Sequence, residues 1–532
     1  MKADTVLINA NIVTIDKNCS VFNALAIKDK RIKALGTDKE MDQYIGGETL
    51  LLDLDGRTVT PGFVDSHNHT CEYGFSELIL DLRYPKVQSI GDIVEMVKEA
   101  AESKPEGSWI RGVGWDDALL DEKRPPTRQD LDPVSPDHPV ILDAQTPVQV
   151  ANSYALDLVD AEYSVDYDGL LLDHDTAYKI RLLARNYTVD ECKDAILKAQ
   201  DALLRVGVTA QKDAGVTDTM IEAYRELHAE DRLKIRSYLM IGIHNGQTTI
   251  DLAKQAVSKY KPMGDDKLYI GAVKCSFDGS GGNRTAWLYE PWNRDYTGVD
   301  GENTGRPIIP EPYTYPEIAK TIHRAGFQIG AHCVGDQTID RYLDAIEAAI
   351  IDTPRSNCRH SVIHNNLPTD YALRKETAMG DNIIVEATSA YLYFIGDNYA
   401  GSFGPNRSRR LIPLRTLLDR GVVVGNGCDW NTCLLNPLYG VYAAVTRKPR
   451  KGVYGEQPFG VDECITPLEA FKTYTWNSAY CMFWENNIGS LEAGKYADLV
   501  VWGSDPFEVE PDEWLTMSPE ATMVDGEWVY KQ

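Results

Sequence analysis

Eight short apolar runs, most of them separated from the next by a helix-length stretch, set the limits on how this chain can fold. They lie at 58–64, 208–212, 235–241, 268–276, 328–332, 360–363, 383–387 and 422–425, and helical patterns fill gaps such as 315–325 and 336–349. Strand-type runs alternating with helix-type periodicity are the pattern of parallel βα units. Eight such units over 58–484 predict an α/β fold and fit a closed (β/α)8 barrel of the TIM type, with an open parallel sheet as the alternative that periodicity leaves. One connection is far too long for a plain loop: more than a hundred residues separate the first two runs, with a turn-rich stretch at 123–147. A structureless loop of that size would be abnormal, so an insertion with its own structure is expected at about 74–204.

The two ends of the chain differ from its middle. Residues 5–15, 21–28 and 31–35 read as short Val- and Ile-rich strands broken by Asn, Asp and Gly, and 497–502, 521–524 and 527–530 resume that character, with Asp525-Gly526 as a hairpin turn. Chain ends often lie close together, which predicts one discontinuous β-sandwich domain made of 1–57 and 485–532. The balance of 54 Lys+Arg against 80 Asp+Glu, a formal charge of −26, argues against nucleic acid, because duplex binding needs a basic surface to displace counterions. Ten cysteines scattered singly predict reduced thiols. The N-terminus runs straight into a strand without the features of a signal peptide, and no run approaches the ~20 apolar residues needed to span a bilayer. A cytoplasmic protein with a small-molecule substrate and no membrane partner is expected.

Chemistry gathers at the ends of the apolar runs. The first is followed by PGFVDSHNH at 61–69; in extended backbone, residues two apart face the same way, so His67 and His69 can aim both imidazoles at one ion. Lys274, His332, His364 and Asp429 stand at the ends of later runs. In a parallel barrel such positions converge at the C-terminal rim, where barrel enzymes place their sites. Imidazole and carboxylate are ligands for zinc and similar divalent metals. An ammonium group is not, so two readings of Lys274 stand: an ordinary charged lysine on a carboxylate, or an amine carboxylated by CO2 into a carbamate able to bridge two metals. Trp115, Trp287, Trp430, Asp278 and Arg284 are candidates for lining a substrate pocket. Cys428, beside Asp429, reads better as a small residue under the site than as a nucleophile, which would need a partnered base and an electropositive setting.

Taken together these residues resemble the metal-dependent amidohydrolase superfamily, in the branch that includes N-substituted formamide deformylases (amidohydrolase family 3). The resemblance covers nearly the whole chain. It rests on PGFVDSHNH, on VKCSFDG at 273–279 with Arg284-Thr285-Ala286, on AHCVGD at 331–336, IHNN at 363–366, GNGCDW at 425–430 and GSLEAGKYADLVVW at 489–502. It implies the barrel with a β-sandwich from both termini, metal-ligand roles for His67, His69, His332, His364 and Asp429, two ions, most simply zinc, bridged by a carboxylated Lys274, and a homodimer. It further implies hydrolysis of an amide, cyclic amide or related carbon–nitrogen bond by a metal-activated water, with Asp429 moving the proton. Lactone, ester or phosphoester hydrolysis, isomerisation or decarboxylation at the same centre are the rival reactions, and a barrel that has lost its ligands would be a non-catalytic scaffold. The chain departs from the branch in three places: Ile363 where Glu is usual, Cys428 where Ser is usual, and Thr146-Pro147 ahead of Asn152-Ser153 where a Gly-His step is usual.

Overall fold

The computed structural model describes residues 1–117, 119–144, 149–161, 168–171, 174–243, 248–295, 301–309, 314–452 and 458–532. Its centre is a run of eight parallel strands: β1 (Phe63–Asn68), β2 (Val208–Val216), β3 (Arg236–Gly242), β4 (Leu268–Ser276), β5 (Gln328–Cys333), β6 (His360–His364), β7 (Ile383–Ala387) and β8 (Val424–Asn426), each hydrogen-bonded to the next in chain order. The seam between β8 and β1 is drawn together just past the strand ends. Asp429 N–H donates to the His67 carbonyl at 3.0 Å, and the Asp65 carboxylate accepts from the backbone N–H groups of both His67 and Cys428. Gly427 permits that approach, since a Cβ there would lie 2.4 Å from the His67 carbonyl oxygen. Among the described residues, no helix is long and apolar enough to cross a membrane.

Apolar side chains from β1, β2, β3, β4 and β6 meet inside the barrel, where Val64, Ala210, Tyr238, Met240, Ala272 and Ile363 share one buried cluster. A charged pair sits in the same interior: Lys212 on β2 bonds to Glu386 on β7, and its ammonium also donates to Gln328 Oε1 and the Cys481 carbonyl. Both side chains are fully buried, and a charge taken out of water is tolerated only when paired and hydrogen-bonded. Outside the barrel, the helix Asp336–Asp352 turns Ile339, Leu343, Ile346 and other apolar residues inward at helical spacing.

Three of the expected strands divide, the run at 21–28 among them, with Val21–Phe22 in one terminal sheet and Ala24–Lys28 in the other. The run at 58–64 breaks at Gly62: Thr58–Pro61 pairs with Leu499–Trp502 and with Asn11–Val13, while Phe63 onward belongs to the barrel. A Cβ at Gly62 would fall 2.2 Å from Thr209 Oγ1, so the chain changes sheets at a residue without a side chain. The run at 5–15 divides around Asn9, whose left-handed backbone (φ 52°) lets Thr5–Ile8 and Asn11–Val13 enter different sheets. One terminal sheet orders its strands Arg31–Gly36, Ala24–Lys28, Thr5–Ile8, Leu50–Asp53. The other runs Glu527–Lys531, Ala521–Val524, Leu499–Trp502, Thr58–Pro61, Asn11–Val13, Val21–Phe22. Leu7, Leu25 and Ile27 of the first and Ile12, Val59, Leu499 and Met523 of the second share one buried cluster. Asp525 and Gly526 (φ 55° and 75°) form the two-residue hairpin turn.

Residues Tyr73–Ala195 form a compact unit of their own. Its sheet orders Gln149–Ala151, Val140–Ala144, Ile110–Trp115, Leu80–Asp81 and packs Ile93 and Val97 of the helix Ile90–Ser103 against Ile110, Val140 and Leu142.

Candidate metal centre

The strand register brings the expected ligands to one end of the barrel. Lys274 on β4 lies opposite Gly330, His332 on β5 opposite Ile363, and His364 on β6 opposite Cys333. His67 is the last residue but one of β1 and His69 follows the strand directly, while Asp429 follows β8. All six meet. Asp429 Oδ1 stands 3.4 Å from His67 Nε2 and 3.3 Å from His69 Nε2; Lys274 Nζ is 3.1 Å from His67 Nε2; the rings of His67 and His364 are 5.3 Å apart, and those of His332 and His364 are 4.7 Å apart. His69 and His332 keep 28% and 21% of their side chains open, which makes the cluster reachable from outside, whereas His67 is fully buried.

The donor set fits divalent metal. A neutral imidazole can ligate only through the nitrogen that lacks hydrogen, and a partner on the other nitrogen decides which one that is. His69 Nδ1 donates to the Ala214 carbonyl (2.8 Å), leaving Nε2 toward Asp429; His364 Nδ1 lies 3.1 Å from Thr388 Oγ1; His332 Nε2 donates to the Gly279 carbonyl (3.0 Å), leaving Nδ1. The separations of 3.3 and 3.4 Å between Asp429 Oδ1 and the two Nε2 atoms are those of two donors each ~2.0–2.1 Å from one tetrahedral ion, about 3.3 Å. His67, His364 and Asp429 offer ligand atoms within 4.8 Å of one another.

The electrostatics favour an anion at Asp429 and neutral rings at His67, His332 and His364, whereas at His69 the effect of burial is outweighed by the neighbouring Asp429 carboxylate, which raises it. Burial pushes His67 down to about 3 and His332 to about 4, and holds His364 well below the usual histidine range. Burial also opposes ionisation of Asp429, but the surrounding imidazoles of His67, His69 and His364 outweigh it and keep the carboxyl well below the ordinary range. Burial lowers the Lys274 ammonium to about 8. Asp429 and His364 both have left-handed backbone (φ 53° and 71°), a conformation costing a non-glycine residue roughly 1–2 kcal/mol and tolerated where the surroundings enforce it.

The pocket residues fare less evenly. Trp115 is corrected: it is a core residue of the 73–195 unit, 2% exposed, packed with Leu82 and Leu142, and its indole N–H donates to the Leu142 carbonyl. Asp278 is fully buried and accepts from the backbone N–H groups of Trp287, Val334 and Gly335, so it ties two rim loops together. Arg284 is half-buried on left-handed backbone in the loop after β4, and Trp287 is half-buried beneath the Arg341 guanidinium. Trp430, half-buried next to Asp429, donates its backbone N–H to Asn68 Oδ1. Cys428 donates its thiol to the Leu435 carbonyl, and burial raises it well above the usual thiol range, the reverse of an activated nucleophile. Ile363 packs inside the barrel, and Asn152 caps the helix Ser153–Asp157; Thr146 and Pro147 lie outside the described residues.

Sequence reasoning missed three contributors: Asp65, Thr388 and Tyr391. Tyr391 donates its hydroxyl to Asp429 Oδ2 and lays its ring against that of His364 at 5.3 Å and 22°. Its place just after β7 was the available signal, since the same rim argument applies to every strand.

A second buried group, His323, Cys358 and His360, also brings ligand atoms within 4.8 Å. Its hydrogen bonds exclude a metal. Ile329 N–H donates to His360 Nδ1, so the ring hydrogen of neutral His360 is on Nε2, pointing at His323 Nδ1 2.9 Å away; His323 Nε2–H then donates to the Thr353 carbonyl. Neither facing nitrogen is free to ligate. Burial holds His360 well below its ordinary value, so the native state refuses a proton that the unfolded chain takes up below pH ~6.5. Stability carried by this bond chain is present above pH ~6.5 and is lost as pH falls below it, by up to about 1.4 kcal/mol per pH unit. The urea-unfolding difference between wild type and His360→Gln is therefore expected to narrow from pH 7 to pH 5. A constant difference would mean that His360 does not hold this neutral form.

Comparison with known proteins agrees with the geometry. The model of the amidohydrolase family matches residues 51–530. The chain belongs to the amidohydrolase family. It is 27% identical to the N-substituted formamide deformylase of Arthrobacter pascens, over 99% of this chain and 98% of that protein. Crystal structures described as uncharacterized metal-dependent hydrolases from Pyrococcus horikoshii and Pyrococcus furiosus superpose with TM-scores of 0.78 at 25% and 27% identity; they cover 96% and 95% of this chain and 99% and 100% of their own. This amidohydrolase is thus a hydrolytic, metal-dependent enzyme, and its family's general chemistry is the hydrolysis of carbon–nitrogen bonds.

Proposed function

We propose that this amidohydrolase cleaves an amide, cyclic amide or related carbon–nitrogen bond of a small molecule at a two-ion centre, most simply zinc, held by His67, His69, His332, His364, Asp429 and a carboxylated Lys274. The observation that carries the reading is the Asp429 carboxylate, ionised while buried, with one oxygen turned to two imidazole nitrogens at 3.3–3.4 Å. Divalent ions bound there would lower the pKa of water toward ~7 and polarise the substrate carbonyl.

The chain's own groups do the rest. Asp429 Oδ1 accepts the proton of the attacking water and passes it to the departing nitrogen, a step that needs a carboxylate held within hydrogen-bond reach of both. With its ammonium lowered to about 8, Lys274 is partly neutral near pH 7; the amine lone pair forms an N–C bond to CO2 and a proton leaves, giving an anionic carbamate. Burial of Cys428 beside the Asp65 carboxylate, which raises its thiol, argues for this water-based route over a thiol ester. The small-molecule substrate and a homodimeric, cytoplasmic enzyme belong to the same reading and rest on the resemblance and composition.

Turnover of matched N-acyl amines, cyclic amides and lactones, with and without chelator, tests it. Amide turnover that disappears with chelator and returns with zinc is expected. Faster lactone turnover would replace the amide reading with ester hydrolysis, and a folded enzyme active without metal would end it.

A further inference from the structure

β7 contributes none of the six expected ligands, yet the turn that follows it touches the ligands of both neighbouring strands. Thr388 Oγ1 lies 3.1 Å from His364 Nδ1 on the β6 side. Tyr391, three residues on, donates to Asp429 Oδ2 beyond β8 and stacks on the His364 ring. The turn is itself fixed to β8, since Ser389 gives both its backbone N–H (2.9 Å) and its hydroxyl (3.1 Å) to Asn426 Oδ1, and the hydroxyl also reaches the Gly440 carbonyl. Thr388 and Ser389 are fully buried, and Tyr391 is 5% exposed.

We propose that Tyr391 is the positioning residue of the centre: its hydroxyl occupies one oxygen of Asp429, so that the other alone faces His67 and His69, and its ring fixes the plane of His364. A carboxylate with both oxygens free can rotate, or grip an ion with both. One oxygen held by a charge-assisted hydrogen bond removes that freedom. The geometry then assigns ligation and proton carrying to the same atom, Oδ1, which lies 3.4 and 3.3 Å from the two Nε2 atoms while Oδ2 is engaged elsewhere. Thr388 complements it by accepting from His364 Nδ1–H when that imidazole ligates, which leaves Nε2 as the nitrogen open to an ion. The inference rests on the metal reading of the site above, but not on the identity of the substrate.

The test is zinc release from the full-length zinc-loaded enzyme to a chromophoric chelator, which needs no substrate, together with kcat and KM on whichever amide the wild type turns over. Tyr391→Phe keeps the ring and removes the hydroxyl; Thr388→Val removes the other contact. Both are expected to release zinc about 10–100-fold faster than wild type, and Tyr391→Phe to lower kcat about 10–100-fold with KM within about twofold. Thermal midpoints, read in parallel, separate positioning from folding. Wild-type release and wild-type kcat in Tyr391→Phe would overturn the proposal, as would a kcat loss no larger than the fraction of unfolded protein. A wild-type enzyme that binds no zinc at all would overturn the metal reading, and the positioning role with it.

Discussion

Replacing Asp429 with asparagine is expected to lower kcat by about 10²–10⁴-fold, the range lost when a general acid–base group is removed. The side chain keeps its shape, and an amide oxygen can still accept the Tyr391 hydroxyl that now meets Oδ2. What the amide cannot do is take up and return a proton. Asp429 is fit for that work because the surrounding imidazoles keep its carboxyl well below the usual range despite burial, which favours the ionised base at neutral pH. Zinc stoichiometry measured on the same sample divides the two roles of this residue. Full metal with lost turnover assigns the effect to proton transfer, whereas metal and turnover lost together assign it to ligation. Turnover within tenfold of wild type at full metal loading would remove Asp429 from the chemistry.

The barrel was legible in the sequence because each of its strands is an apolar run long enough to register against its helical neighbours. The ends of those runs were less legible. Nothing in the continuous apolar stretch at 58–64 reveals that Gly62 hands the chain from one sheet to another, because the reason is the Thr209 side chain, distant in sequence. The same holds at Asn9, where only the backbone angle separates two strands. The ligand positions could be read because His, Lys and Asp at strand ends are chemically conspicuous and a parallel barrel converts strand ends into neighbours. Thr388 and Tyr391 stand at an equivalent place after β7 but are not ligand types, so composition gave no reason to single them out. Trp115 shows the opposite failure. A tryptophan after an apolar run suits a pocket wall or a core equally well, and only the packing of Leu82 and Leu142 around it decides for the core. Asp278 was conspicuous for its charge, yet three backbone N–H groups already engage that charge.

Lys274→Ala is expected to reduce bound zinc and to lower turnover by at least about 100-fold, with part of the activity returning on addition of acetate or propionate. The reasoning starts from the position of the amine. Lys274 is 6% exposed, with Nζ 3.1 Å from His67 Nε2, and burial takes its ammonium down to about 8. A positive charge there would repel any cation the imidazoles attract, so an unmodified ammonium and an occupied metal centre oppose each other. Carboxylation would reverse the sign of the group and turn a competitor of the metal into its ligand. Truncation to alanine then leaves space for a small anion beside His67, which a short carboxylate can enter and a protonated alkylamine cannot usefully fill. Rescue by carboxylate therefore measures the charge that the native side chain carries. Wild-type zinc content in the alanine variant would take Lys274 out of the ligand set, and rescue by alkylamines in place of carboxylates would return it to the role of an ordinary lysine.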